Sequence, residues 1–228
     1  MMTSEHGIEA DSSINDAVEF INSFVREEDA KKTVEAYSQS VDVYEKGMGN
    51  ANHKGALLTI ESFLKLGVDV NTRIVDIGAG TGALAKLLRP AGYCNIDAID
   101  GSERMLERAK EQNLYQNYIL SIVGQGHILP IENDTYDAMI MSAVFCPGHM
   151  GTDAFPELIR IMKPGGIIIW AMRAPHLYAD MSEKYRDGRF EADVEEMVQK
   201  GKWKHYNPPR TIPYFHGHEG VVFTMEVL

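Results

Sequence analysis

The apolar positions of this chain change period twice, from helical spacing to short β-branched runs and then to longer β-like runs near the end. Ile14, Val18, Ile21 and Val25 recur at helical spacing, with Asp16 and Glu19 early in the pattern, so an amphipathic helix is predicted there. A second is predicted over residues 30–44, where Val34, Tyr37, Val41 and Tyr44 share a face. Gly47-Met48-Gly49-Asn50 breaks this pattern and offers a hinge, and Asn52 to Leu66 resumes it with Leu57, Leu58, Ile60, Leu64 and Leu66. Then the period shortens. Ile74, Val75 and Ile77 form a run suited to a strand buried on both faces, and further strands are predicted over residues 95–100, 118–123, 136–143 and 167–172. Between them Leu84, Leu87 and Leu88, then Met105, Leu106 and Ala109, then Phe155 to Met162, read as helices. Phe190, Val194, Met197 and Val198 mark a last amphipathic helix, beside β-like runs at Trp203 to Tyr206 and Val221 to Val227.

Strands that alternate with helices predict a doubly wound α/β architecture with a mostly parallel sheet. A length of 228 residues suits one domain: a disordered tail over 1–13, N-terminal helices over 14–66, a core over 73–175, and 176–228 completing the sheet.

The chemistry concentrates after the first predicted strand, in Asp76-Ile77-Gly78-Ala79-Gly80-Thr81-Gly82. Glycines there permit a tight turn and close approach of backbone to a ligand, with the following helix presenting its N–H groups. A dinucleotide fingerprint reads G-x-G-x-x-G, whereas this loop reads D-x-G-x-G-x-G, which argues against nicotinamide chemistry. Asp100 ends the second strand twenty residues past Gly80, where an acid can accept both ribose hydroxyls of a nucleotide across the switch point. Asp97, three residues earlier, falls on the opposite strand face and is expected to point to solvent.

The loop resembles motif I of the class I methyltransferases that use S-adenosylmethionine, and other stretches support the resemblance across about residues 34–175. Tyr37 and Tyr44-Glu45 resemble an entry segment that in the family packs over the cofactor cleft. Gly101-Ser102-Glu103-Arg104-Met105-Leu106 resembles the continuation of the second strand, and Tyr136-Asp137 and Lys163-Pro164-Gly165-Gly166 resemble later signatures. At Gly124-Gln125-Gly126, Gln125 stands where the family usually has an acid facing the adenine amino group, so a contact without charge assistance is expected. The detail is similar to the animal methyltransferase-like proteins named for the Williams–Beuren syndrome chromosomal region. The resemblance implies a Rossmann-like, seven-stranded, mostly parallel sheet with a reversed last strand and an N-terminal helical lid. It implies S-adenosylmethionine as cofactor, held by Asp76, Gly78, Ala79, Gly80, Gly82, Asp100, Gly101, Met105, Gln125, Gly126, Ser142 and Tyr37.

No catalytic residue is assigned by the sequence; His149, Tyr37 and His53 are the candidates, each with a packing or loop role as its alternative. Methyl transfer requires alignment more than a dedicated base. The acceptor expected is a small molecule, with a cofactor-binding module lacking turnover and a protein methyltransferase as alternatives. A formal charge of −11 argues against non-specific attraction to nucleic acid or anionic membranes. Cys94 and Cys146 cannot build a disulfide framework and read as reduced thiols in core-facing or site-lining segments; with no apolar leader or spanning run, a cytoplasmic protein is expected, as monomer or weak dimer. His216-Gly217-His218 reads as a turn rather than a metal site.

Overall fold

The computed structural model describes residues 16, 18–25, 30–124 and 126–228; the tail over 1–13, Ile14 and Gln125 lie outside the described residues. Residues 18–24 are helical, followed by α1 (Ala30–Asn50), α2 (Gly55–Leu64), β1 (Ile74–Ile77) and α3 (Ala83–Leu88). Next come β2 (Ile96–Asp100), α4 (Glu103–Glu111), β3 (Asn117–Leu120), β4 (Tyr136–Ser142) and α5 (Phe155–Arg160). The chain ends with β5 (Met162–Arg173), α6 (Arg189–Gln199), β6 (Trp203–Phe215) and β7 (His218–Val227). The seven strands form one sheet in the order β3-β2-β1-β4-β5-β7-β6, with β7 antiparallel to both its neighbours and the first five strands parallel.

Every residue of β1 is buried, as its unbroken apolar run requires of a strand covered on both faces. Strand parity then divides the core. Val75 and Ile77 face a cluster with Phe155, Trp170, Phe190, Trp203 and Phe223, while Ile74 faces another with Phe63, Leu88, Ile96 and Ile140. In the first cluster the rings of Trp170 and Phe223 stack at 4.7 Å, and the Trp203 indole N–H donates to the Val194 carbonyl at 3.1 Å. A buried indole with its donor satisfied can supply its full apolar area to the core.

Several local expectations are corrected by contacts between distant segments. Gly47 and Gly49 do not break or hinge the second helix, because α1 runs on to Asn50. A Cβ on Gly47 would come within 2.3 Å of the Phe20 ring, so the glycine is there for packing against the stretch 18–24. The turn at Lys163-Pro164-Gly165-Gly166 lies inside β5 as an irregularity: Tyr136 pairs with Met162, Ala138 with Ile167, and Gly165 takes φ +79°. The late β-like runs are longer than their apolar cores and join in a hairpin through His216 and Gly217, both at positive φ. Cys94 is exposed rather than core-facing.

Asp97 is also corrected. It is buried at 3 % exposure and receives the Tyr136 hydroxyl at 2.9 Å, the Asn117 amide at 2.7 Å and Arg73 at 3.4 Å. It is the hub that ties β2 to β3, β4 and the chain before β1. Asp97→Ala leaves three donors unsatisfied and is expected to cost about 2–4 kcal/mol in urea unfolding, without changing the m-value.

Candidate functional site

The order of strands reverses between β1 and β4, so the loops at their carboxyl ends part and leave a cleft there. The cleft holds ≈ 140 Å³ and is floored by Ile77, Gly78, Gly80 and Ile99. Asp100, Gly101 and Met105 line one side, and Ser142, Ala143, Val144 and His149 the other. Across the opening lies α1, presenting Thr33, Val34, Tyr37 and Tyr44. The helix is fixed as a cover by contacts to both sides. Thr33 donates to the Gly148 carbonyl at 2.6 Å, Ser38 meets Ser102 at 2.7 Å, Arg104 reaches the Ser38 carbonyl at 2.8 Å, and Glu45 pairs with Lys86 and Arg108. A Cβ on Gly101 would lie 2.8 Å from Val34, so this glycine lets the cover sit close.

Asp100 organises the floor. Its Oδ2 accepts the Gly80 N–H and its Oδ1 the Ser102 N–H, each at 2.8 Å, which sets the glycine loop against the end of β2. Burial raises its pKa, and backbone donors from Ser102, Gly80 and Gly101 oppose that rise. The carboxylate has about four lone-pair directions, which these backbone donors do not exhaust, so a hydroxyl donor can still be received. Gly80 has φ +53° and open space where a Cβ would stand. Its backbone therefore faces the cleft bare, as approach to a bound nucleoside requires.

Of the residues expected from the sequence, Gly78, Gly80, Asp100, Gly101, Met105, Ser142 and Tyr37 come together on this cleft. Asp76, Ala79, Gly82 and Gly126 are not on its lining. Asp76 shares the strand face of Ile74, and its Oδ2 accepts the Tyr115 hydroxyl at 2.6 Å while Oδ1 is buried without a partner. Gly82 begins α3 at φ +90°, where a Cβ would strike Leu114 at 2.3 Å; it serves helix packing. Ala143 was not signalled by any spacing, yet it sits on the cleft at φ +59°, a strained setting for a residue with a Cβ.

His149 and Tyr37 form a pair. The His149 Nδ1 lies 3.1 Å from the Pro147 carbonyl, which can only accept, so Nδ1 carries the proton and Nε2 accepts the Tyr37 hydroxyl at 2.8 Å. Burial pushes the His149 pKa down to about 4, leaving it neutral at pH 7. His53 is elsewhere, in a smaller cavity behind α1. Its Nδ1 accepts the Gly55 N–H at 3.3 Å, its ring lies 4.6 Å from Tyr214, and burial with the nearby Arg173 charge lowers its pKa to about 4. Tyr37, Tyr44 and Ala143 line both spaces and so stand between them.

Comparison with known proteins agrees with this geometry. Residues 75–170 match the family described as methyltransferase domain. Human methyltransferase-like protein 27 is 33% identical over 131 residues, covering 58% of this chain and 51% of that protein. The sterol 24-C-methyltransferase of Kluyveromyces lactis is 22% identical over 194 residues, covering 77% and 52%. The chain thus spans about half the length of these curated relatives. Among solved structures, the putative methyltransferase of Haloferax volcanii, in complex with the Trm112 activator, has a TM-score of 0.63 at 16% identity over 84% of this chain and 97% of that one. At that identity the likeness concerns the fold.

Asp76 supplies a test. Burial raises its pKa to about 8, above the ordinary carboxylate value near ~3.9. The folded chain then holds a proton that the unfolded chain has released, so stability is highest below about pH 4 on this account and falls as pH rises toward 8. Asp76→Asn keeps an acceptor for Tyr115 and removes the titration. Thermal unfolding of this variant between pH 5 and 8 is expected to show a flatter pH slope and a higher Tm at pH 8 than wild type; parallel slopes would contradict the assignment.

Proposed function

We propose that this protein is a class I methyltransferase that transfers a methyl group from S-adenosylmethionine to a small-molecule acceptor, a reading supported by the match of residues 75–170 to the methyltransferase-domain family. One observation carries the reading: a free-sided acid at the end of β2, a bare glycine backbone after β1 and a covering helix converge on one cleft. The donor set fits the group. Asp100 has lone pairs left for ribose hydroxyls, Met105 and Ile122 offer apolar surface for a base, and Gly78 and Gly80 lie in the floor without side chains.

When bound, S-adenosylmethionine supplies a methyl carried on a cationic sulfur, which makes alignment and exclusion of water the protein's task. Helix α1 excludes water by its position across the opening. Tyr37, held by His149, presents a fixed phenolic oxygen whose remaining lone pairs can orient an acceptor donor. His149, with its pKa near 4, stays neutral at pH 7 with its proton on Nδ1, and positions Tyr37 rather than acting as a base. A covered cleft favours a small acceptor over a side chain on a folded protein, and the sterol-methylating relative is in keeping with that class.

Tritiated S-adenosylmethionine incubated with a cell metabolite extract tests the activity: label should pass to a small organic product. Label appearing only on protein would replace the acceptor class, and no label at all, with cofactor bound, would leave a binding module. Asp100→Ala is expected to weaken S-adenosylhomocysteine binding by about 1.5–3 kcal/mol, roughly ten- to a hundredfold by calorimetry. Tyr37→Ala should leave the circular dichroism unchanged, weaken cofactor binding, and slow single-turnover transfer at saturating cofactor by about tenfold more. A rate that follows cofactor occupancy alone would reduce Tyr37 to a packing residue.

A further inference from the structure

Arg173 ends β5 and lines the smaller cavity behind α1, together with Phe24, Tyr37, Ala143, Tyr178 and Phe215. It is 4 % exposed. A guanidinium so deep in a protein is ordinarily matched by a carboxylate, because leaving an ion unpaired in a dry interior is costly. Here no ion pair involves Arg173 among the described residues. One amino group donates to the Asn22 side-chain carbonyl at 2.9 Å, and Nε is buried with no acceptor. The cation is held instead over two aromatic faces, 4.8 Å from the Phe215 centroid and 5.2 Å from that of Tyr178. Such contacts soften the burial of the charge without neutralising it. Its charge bears on the titration of His53, Cys146, Tyr178, Tyr214 and His218, none of which is a carboxylic acid.

We propose that Arg173 is the anchor for a carboxylate on the methyl acceptor, whose apolar body reaches past Tyr37 and Ala143 into the cofactor cleft. The inference rests on the methyl-transfer reading and assigns its substrate class: a small organic acid. The cavity of ≈ 30 Å³ has room for a compact head group. A planar two-oxygen head matches the guanidinium fork and fits that space better than a tetrahedral phosphate. The aromatic walls then suit an apolar body behind the head. Arg173 is a specificity-determining residue on this account, and it lies outside the lining of the cofactor cleft.

The test compares acids with neutral isosteres on protein loaded with S-adenosylhomocysteine. Phenylacetate and hexanoate, each beside its amide, and phenylphosphonate are titrated by calorimetry. At least one acid is expected to bind tenfold or more tightly than its amide, with Arg173→Met reducing that preference to near unity and Arg173→Lys retaining part of it. S-adenosylhomocysteine affinity should change by less than twofold in both variants. Acids that bind no better than amides, or not at all, overturn the proposal, and phenylphosphonate binding more tightly than either acid overturns the choice of carboxylate. The wild-type comparison decides this even if Arg173→Met fails to fold. Loss of S-adenosylhomocysteine binding in the wild type would instead sink the methyl-transfer reading, whereas cofactor binding without preference for acids sinks this inference alone.

Discussion

A parallel sheet must part its loops where the winding changes direction, and in this chain that happens between β1 and β4. The gap would be an unpaired seam if nothing bridged it. Asp100 reaches back from β2 to the Gly80 N–H and forward to the Ser102 N–H, so one carboxylate sets the glycine loop, the start of α4 and the side wall of the cleft. Ser102 in turn caps α4 through the Met105 N–H and meets Ser38 on α1. The floor, the wall and the cover of the site are thus linked through adjoining polar contacts, and the position of the covering helix depends on the same strand end that offers lone pairs to a ligand.

The site is also an electrostatic compromise. Asp76, His149 and His53 are each buried so far that their charged forms are disfavoured, which leaves the surroundings of the cleft with little compensating charge. In a medium of low polarity any fixed charge that does remain acts over a longer range. Arg173, in the cavity behind α1, is set to act in this way, while burial also works against the charged form of Asp100 beside the cleft. Tyr37, Tyr44 and Ala143 stand between the two spaces.

What the sequence disclosed is local. The glycine spacing, the acid twenty residues on and the short apolar strands are all readable because their causes lie within a few residues of one another. Asp97 was misread because its partners come from three other segments, Arg73, Asn117 and Tyr136, and no period links them. Asp76 and Gly82 belong to the motif, yet the side chain of one and the missing side chain of the other face Tyr115 and Leu114; strand parity and helix packing, not ligand contact, explain those positions. Gly47 looked like a helix break until Phe20 supplied the reason for a missing Cβ. The positive φ of Ala143 and the lack of an ion pair to Arg173 among the described residues are visible only in three dimensions.

The two halves of the site bear on one another through the question of a base. A neutral alcohol or amine acceptor that enters protonated must lose a proton during or after transfer, and His149, with its pKa held near 4 and its Nε2 occupied by Tyr37, is poorly placed to keep one. A carboxylate held at Arg173 does not remove that proton, because it anchors the end of the acceptor remote from the cofactor cleft; what it supplies is orientation. Its attraction to Arg173 draws the acid head toward the rear cavity. An acceptor so oriented would present its far end toward the sulfonium side, with Tyr37 between as the fixed polar contact. The covering helix and Arg173, which has no ion pair among the described residues, are then parts of one arrangement, in which orientation by charge supplies the alignment that methyl transfer requires.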